Sequence, residues 1–98
     1  MEICVRVPTQ LRELVAGAAS VEVSVGSAAD QTATVATVLD ALAVQYPALE
    51  RRIRDEQGNS RPHVNLFVAS DNVRDRDGPA TAIRAGEELS IIPAVSGG

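Results

Sequence analysis

Between Thr34 and Tyr46 the apolar side chains fall at Val35, Val38, Leu39, Leu42 and Tyr46, offsets of three, four, seven and eleven from the first. That spacing marks one face at helical period. Thr34, just before it, is a helix-capping residue type, because its hydroxyl can accept a free N–H of the first turn. On both sides of this stretch the period changes to two. In Glu2-Ile3-Cys4-Val5-Arg6-Val7 the side chains of Ile3, Val5 and Val7 share one face, and Glu2, Cys4 and Arg6 share the other. The pattern is that of a half-buried strand. One helix with one apolar stripe must therefore be covered by strands with one apolar face each.

The remaining elements follow in order. Pro8 ends the first ladder by removing a donor. A short segment with Leu11 and Leu14 leads to a turn at Gly17-Ala18-Ala19-Ser20, and Val21-Glu22-Val23-Ser24-Val25 alternates again. The first two strands are expected to form an antiparallel hairpin, with a long connection for one. Gly26 to Thr34 is expected to be a polar loop of small residues. Pro47 either ends the helix or opens a second turn, through which Leu49 and Ile53 continue an apolar face. Residues 55–62 carry loop signals throughout. His63 to Ala69 is the third strand, with Val64, Leu66 and Val68 inward and Asn65 and Phe67 outward. Ser70 to Pro79 is a charged loop with room for a short edge strand near Val73. Ala80-Thr81-Ala82-Ile83 is expected to make one helical turn, and Leu89-Ser90-Ile91-Ile92 is the last strand.

This order, β-β-α-β-(short β)-β, predicts an α+β fold with a mixed β-sheet wrapped around one main α-helix. The last strand would lie parallel beside the first. With 98 residues a single domain is expected, at 1–94, followed by a tail at 95–98. One tyrosine and one phenylalanine leave the core to aliphatic side chains.

Composition excludes several classes of function. A net charge of −4 without a basic cluster or an aromatic ladder argues against nucleic acid as a partner. No apolar run approaches the ~20 residues of a membrane helix, and no signal peptide is visible, so a cytoplasmic location is expected. Cys4 is the single cysteine and His63 the single histidine, which leaves no transition-metal set. The Asp71, Asp75 and Asp77 group lacks the glutamate that closes a calcium loop. No acid–base or nucleophile set stands out, so no catalytic residue is expected. Arg51-Arg52 is either the wet face of the second helical turn or a patch that steers an acidic partner surface. All nine basic residues are arginine. Without lysine, a chain that joins to amines can only donate its carboxyl end.

The chain closes on Ile92-Pro93-Ala94-Val95-Ser96-Gly97-Gly98. Together with Val5-Arg6-Val7-Pro8, the Thr34–Leu42 helix followed by Tyr46-Pro47, and Val64-Asn65-Leu66-Phe67-Val68, this ending resembles the ubiquitin-like sulfur carriers of the ThiS/MoaD group. Among them it looks most like the actinobacterial carrier that feeds cysteine synthesis. The Pro-x-Val-x-Gly-Gly ending is shared with small subunits of molybdopterin synthase. The resemblance implies the β-grasp fold of ubiquitin-like domains. It implies further that an E1-like adenylyltransferase/sulfurtransferase uses ATP, with Mg, to adenylate the Gly98 carboxylate. Sulfur then displaces AMP to leave a thiocarboxylate, and the carrier itself binds no cofactor. The acceptor would be a cysteine synthase, a thiosugar or thiazole synthase, or a molybdopterin synthase large subunit, and a zinc isopeptidase is a further partner.

The tail residues Val95, Ser96, Gly97 and Gly98 would enter the partners' active sites. The two glycines have no Cβ to obstruct a narrow channel, and four extended residues reach roughly 13 Å. Pro93 stiffens the departure from the sheet. Phe67 and Ile92 face outward on strands beside Arg6, forming either a partner-binding face or one shielded by loops. A molybdopterin-synthase-like small subunit, a thiamin sulfur carrier, a protein modifier and a non-covalent ubiquitin-like module are the other functions compatible with these residues.

Overall fold

The computed structural model describes residues 1–26 and 32–93. The expected boundary at 94 and the tail 95–98 lie outside these residues. The alternating segments form strands β1 (Glu2–Arg6), β2 (Ser20–Ser24), β4 (Val64–Val68) and β7 (Glu88–Pro93), and the helical stripe forms α1 (Val35–Gln45). α1 stops just before Pro47, and a second helix, α2 (Pro47–Ile53), begins on it. A proline lacks the N–H that the first helical position leaves unpaired in any case.

A five-stranded sheet runs in the order β2-β1-β7-β4-β5, where β5 (Asp71–Asn72) is a short edge strand. β7 lies at its centre, parallel to β1 and antiparallel to β4. The hairpin of β1 and β2 pairs Ile3 with Val23 and Val5 with Val21, which places all four on the core face. The helices cover that face. The core is aliphatic throughout: Ile3, Val5, Val23, Val38, Leu42, Leu49, Ile53, Ile83 and Leu89 are fully shielded from solvent. Each such side chain contributes about 1.5–3 kcal/mol relative to exposure. Tyr46 packs at the edge of this cluster.

Thr34 caps α1 as its position predicts, accepting the Thr37 N–H at 3.2 Å. Two local expectations are corrected. Residues 32–34 are not loop but strand β3 (Thr32–Thr34), paired antiparallel with β6 (Ala82–Arg84). The expected helical turn over Ala80–Ile83 is accordingly a 3-10 turn at Gly78–Ala80 followed by that strand. Thr81, between that turn and β6, helps to hold the start of α1, its carbonyl accepting the Val35 N–H at 3.0 Å. The segment with Leu11 and Leu14 is a 3-10 helix, Thr9–Val15, fastened by Arg12 Nε to the Val7 carbonyl at 3.0 Å. Val73 lies just beyond the edge strand, buried in a further 3-10 turn. Among the described residues no helix is long and apolar enough to cross a membrane.

Candidate functional site: the outer sheet face and the root of the tail

The helices cover one face of the sheet, so the outward residues of β1, β7 and β4 form the other. Register sets their arrangement. Cys4 stands opposite Glu88, and Arg6 opposite Ser90. Ser90 in turn stands opposite Phe67, and Ile92 opposite Asn65. Arg6 and Phe67 thus belong to one row across three strands, and Ile92 to the next row toward the tail.

Ile92 is 46% exposed, one of two large apolar side chains so open among the described residues. The other, Val44, is alone on the outer side of α1, and isolated exposed apolar residues are ordinary. Phe67 points outward as alternation predicts but is half-buried rather than solvent-facing. The reason is topological: β5 lies beyond it, with Asn72 registered directly opposite, so Phe67 occupies an interior strand. Pro93 faces the helix side of the sheet, opposite Val64, and is also half-buried.

A shallow hollow of about 340 Å³ joins three of the predicted residues, Arg6, Ile92 and Pro93, with Pro8 and Thr9 of the turn that follows β1. Phe67 is not part of its wall. The hollow lies where β7 gives out into the tail, whose four predicted residues, Val95 to Gly98, lie outside the described ones.

Polar side chains rim this face. Arg6 Nη1 lies 3.9 Å from Glu88 Oε1, a loose pair between exposed groups that adds little to stability. The Cys4 thiol donates to Glu88 Oε2 at 3.5 Å. Burial pushes the Cys4 thiol up from its ordinary value, and the hydrogen bond and charge of Glu88 and the charge of Glu22 add to this against the lowering by Ser20. The folded chain therefore holds the Cys4 proton more tightly than a free cysteine does, which disfavours the reactive thiolate. On the other flank Arg74 donates to Asn65 Oδ1 at 3.2 Å and to the Val64 and Arg61 carbonyls at 3.0 and 3.1 Å, clamping the start of β4. Glu88 and Arg74 were not singled out by pattern, although Glu88 stands at the outward position that the alternation of β7 defines. Among the described residues there is no group of three or more metal-ligating side chains.

A central strand parallel to the first, an outward apolar spot near its end and a sequence that runs on to Gly97-Gly98 together invite comparison with known proteins. The profile of the ThiS family matches residues 5–98. This chain belongs to the ThiS family. Across its full length it is 34% identical to the whole of the sulfur carrier protein CysO of Mycobacterium tuberculosis. It is 40% identical to small archaeal modifier protein 1 of Haloferax volcanii, over 86% of this chain and 87% of that one. The crystal structure of the Amycolatopsis orientalis BexX/CysO complex contains a chain that superposes with a TM-score of 0.81 at 29% identity, covering 98% of this chain and 99% of that one. The fold is the ubiquitin-like β-grasp of ThiS proteins, and the family is one of sulfur carriers.

Proposed function

We propose that this ThiS-family chain is a protein co-substrate that carries sulfur on the carboxyl carbon of Gly98. A carboxylate is a poor electrophile. An E1-like enzyme with ATP and Mg would let a Gly98 carboxylate oxygen attack the α-phosphorus, so that pyrophosphate leaves and an acyl-adenylate remains. Sulfide from a donor then attacks the carbonyl carbon; the C–O bond to AMP breaks, a C–S bond forms, and one proton goes to solvent. The resulting thiocarboxylate is a soft nucleophile that a biosynthetic enzyme can use. This chain need only present its terminus. Pro93 is the last residue of the central strand, Val95 and Ser96 would supply reach, and Gly97 and Gly98, without Cβ atoms, would let the terminus enter a narrow channel. Arg6, Phe67 and Ile92 would supply the outer-face part of the surface recognised at the tail's root, and Pro93, turned to the helix side, borders it through the hollow it shares with Arg6 and Ile92. The layout is a domain at 1–94 with a working tail at 95–98.

The observation that carries this reading is the end-to-end likeness to a sulfur carrier protein, 34% identical with both chains fully covered. That likeness also favours a route to cysteine or to a thiosugar over thiamin or molybdopterin. The test is incubation with the E1-like enzyme, ATP and a sulfide donor. The expected result is a C-terminal mass increase of one oxygen-for-sulfur exchange, lost on deletion of Gly98. An unchanged mass, with an enzyme active on another carrier, contradicts it.

A second reading rests on the 40% identity to a small archaeal modifier protein. A modifier would attach its terminus to lysines of other proteins, and isopeptide-linked ladders in cells would reveal it.

A further inference from the structure

Helix α2 buries Leu49 and Ile53 and leaves Arg51 and Arg52 exposed on its opposite side. The chain then loops out and returns: the Arg61 N–H bonds to the Ile53 carbonyl at 2.8 Å, and Arg61 Nε bonds to the Arg51 carbonyl at 2.8 Å. This closure brings Arg61 and His63 beside Arg51 and Arg52. The four side chains line one groove of about 430 Å³, together with the apolar Leu11 and with Pro93 at its edge.

Three arginines line this groove, against two in each of the acid-free hollows beside Arg6 and beside Arg74. No acidic side chain lines the groove itself, although the chain as a whole carries a net charge of −4. Arg51 and Arg61 also border the adjoining hollow that holds Asp40, Glu50, Asp55 and Glu56, which leaves Arg52 and His63 as the basic side chains belonging to this groove alone. Arg6, Arg54 and Arg76 are paired with carboxylates elsewhere. Arg51, Arg52 and Arg61 make no ion pair among the described residues. Like charges gathered in a concave, partly apolar wall focus a positive potential. Position supplies the rest. Pro93 ends β7, and only five residues separate it from the end of the sequence at Gly98. Extended, those five span roughly 17 Å. An enzyme that holds Gly98 in its active site must therefore stand over the root of the tail.

We infer that the Arg51–Arg52–Arg61–His63 groove docks an acidic segment of the protein that receives the tail, with one apolar side chain of that segment seated on Leu11. The inference rests on the proposed sulfur-carrier function for the partner's role, whereas the binding chemistry is a property of the groove alone. Complementary charge of this kind speeds encounter and fixes the orientation in which the tail is presented.

The test has two arms. In the first, the full chain labelled with nitrogen-15 is titrated with a capped peptide, Glu-Glu-Leu-Glu-Asp-Glu, and followed by NMR. Shifts should centre on residues 51, 52, 61 and 63. Arg51→Glu should weaken binding by about fivefold. Arg84→Glu, which changes net charge equally but lies outside the groove, should leave it unchanged. Equal weakening by both variants, shifts centred elsewhere, or stronger binding of a short oligonucleotide at the same residues would overturn the inference. In the second arm, thiocarboxylation by the activating enzyme is measured against carrier concentration. Arg51→Glu should raise KM in low salt with kcat retained, and added salt should narrow the gap. An unchanged KM would overturn the docking role. Failure of the wild-type chain to accept sulfur, with the peptide titration intact, refutes the carrier reading and leaves the acidic-segment groove standing.

Discussion

Arg6 of β1 and Phe67 of β4 are both in register with Ser90 of β7, so cation and aromatic ring lie in one row across the outer face. Two strand spacings separate them, roughly 10 Å. Ile92 lies in the next row, toward the tail. A partner that follows β7 to its end meets this row first and Ile92 second.

Ile92→Asp tests whether this face is used. Ile92 is 46% exposed and lies in the central strand, so the substitution should cost about 1–2 kcal/mol of folding stability and leave the domain folded. A charge at the centre of a docking face costs more than 1 kcal/mol in binding, or about tenfold in KM for the activating enzyme. Thermal unfolding and carrier-dependent kinetics on the same preparation separate the two effects.

Leu89→Ala tests the central strand. Leu89 is fully buried, opposite Val5 on one side and Val68 on the other. A cavity there should cost about 2–5 kcal/mol, a large share of the roughly 5–15 kcal/mol that a domain possesses. Urea denaturation measures the loss as a lower midpoint.

Thr34→Ala removes the hydroxyl that accepts the Thr37 N–H at 3.2 Å. The expected cost is about 1 kcal/mol, and Thr34→Ser should recover most of it. Restoration by serine in chemical denaturation distinguishes the cap from any contribution of the methyl group.

Cys4 gives a pH-dependent prediction. Its pKa is raised, by burial first and then by Glu88 and Glu22. The folded state therefore holds the thiol proton more tightly than the unfolded chain. The associated stability is present below the ordinary thiol range and is lost as pH rises through the folded-state value. Alkylation by iodoacetamide should be slow at neutral pH, with its inflection above that of a free thiol. Glu88→Gln should move the inflection down without abolishing the shift, because burial remains.

Much of this fold could be read before any coordinates, for a definite reason. Ile3, Val5 and Val7 alternate over six residues, and Val35 to Tyr46 holds one stripe over three turns, so each segment carries several repeats of its own period. Thr32–Thr34 and Ala82–Arg84 are three residues each, too short for a period to be distinguished, and their strand character comes from pairing with one another. Exposure had the same limit. Alternation gave the direction of Phe67, but how far it is covered depends on β5, two residues long. At the site, the outward face was legible because register propagates from strand to strand. The basic groove was not: Arg51 and Arg52 lie about ten positions before Arg61 and His63, and only the return of the loop onto α2 brings them together.

The central claim concerns a single carboxylate, and intact-mass analysis of the chain after incubation with its E1-like enzyme, ATP and sulfide tests it directly. The account predicts one oxygen-for-sulfur exchange, placed on Gly98 by fragmentation and absent when Gly98 is deleted or ATP withheld. Sulfur found on Cys4, or no mass change with an enzyme that loads another carrier, would contradict it.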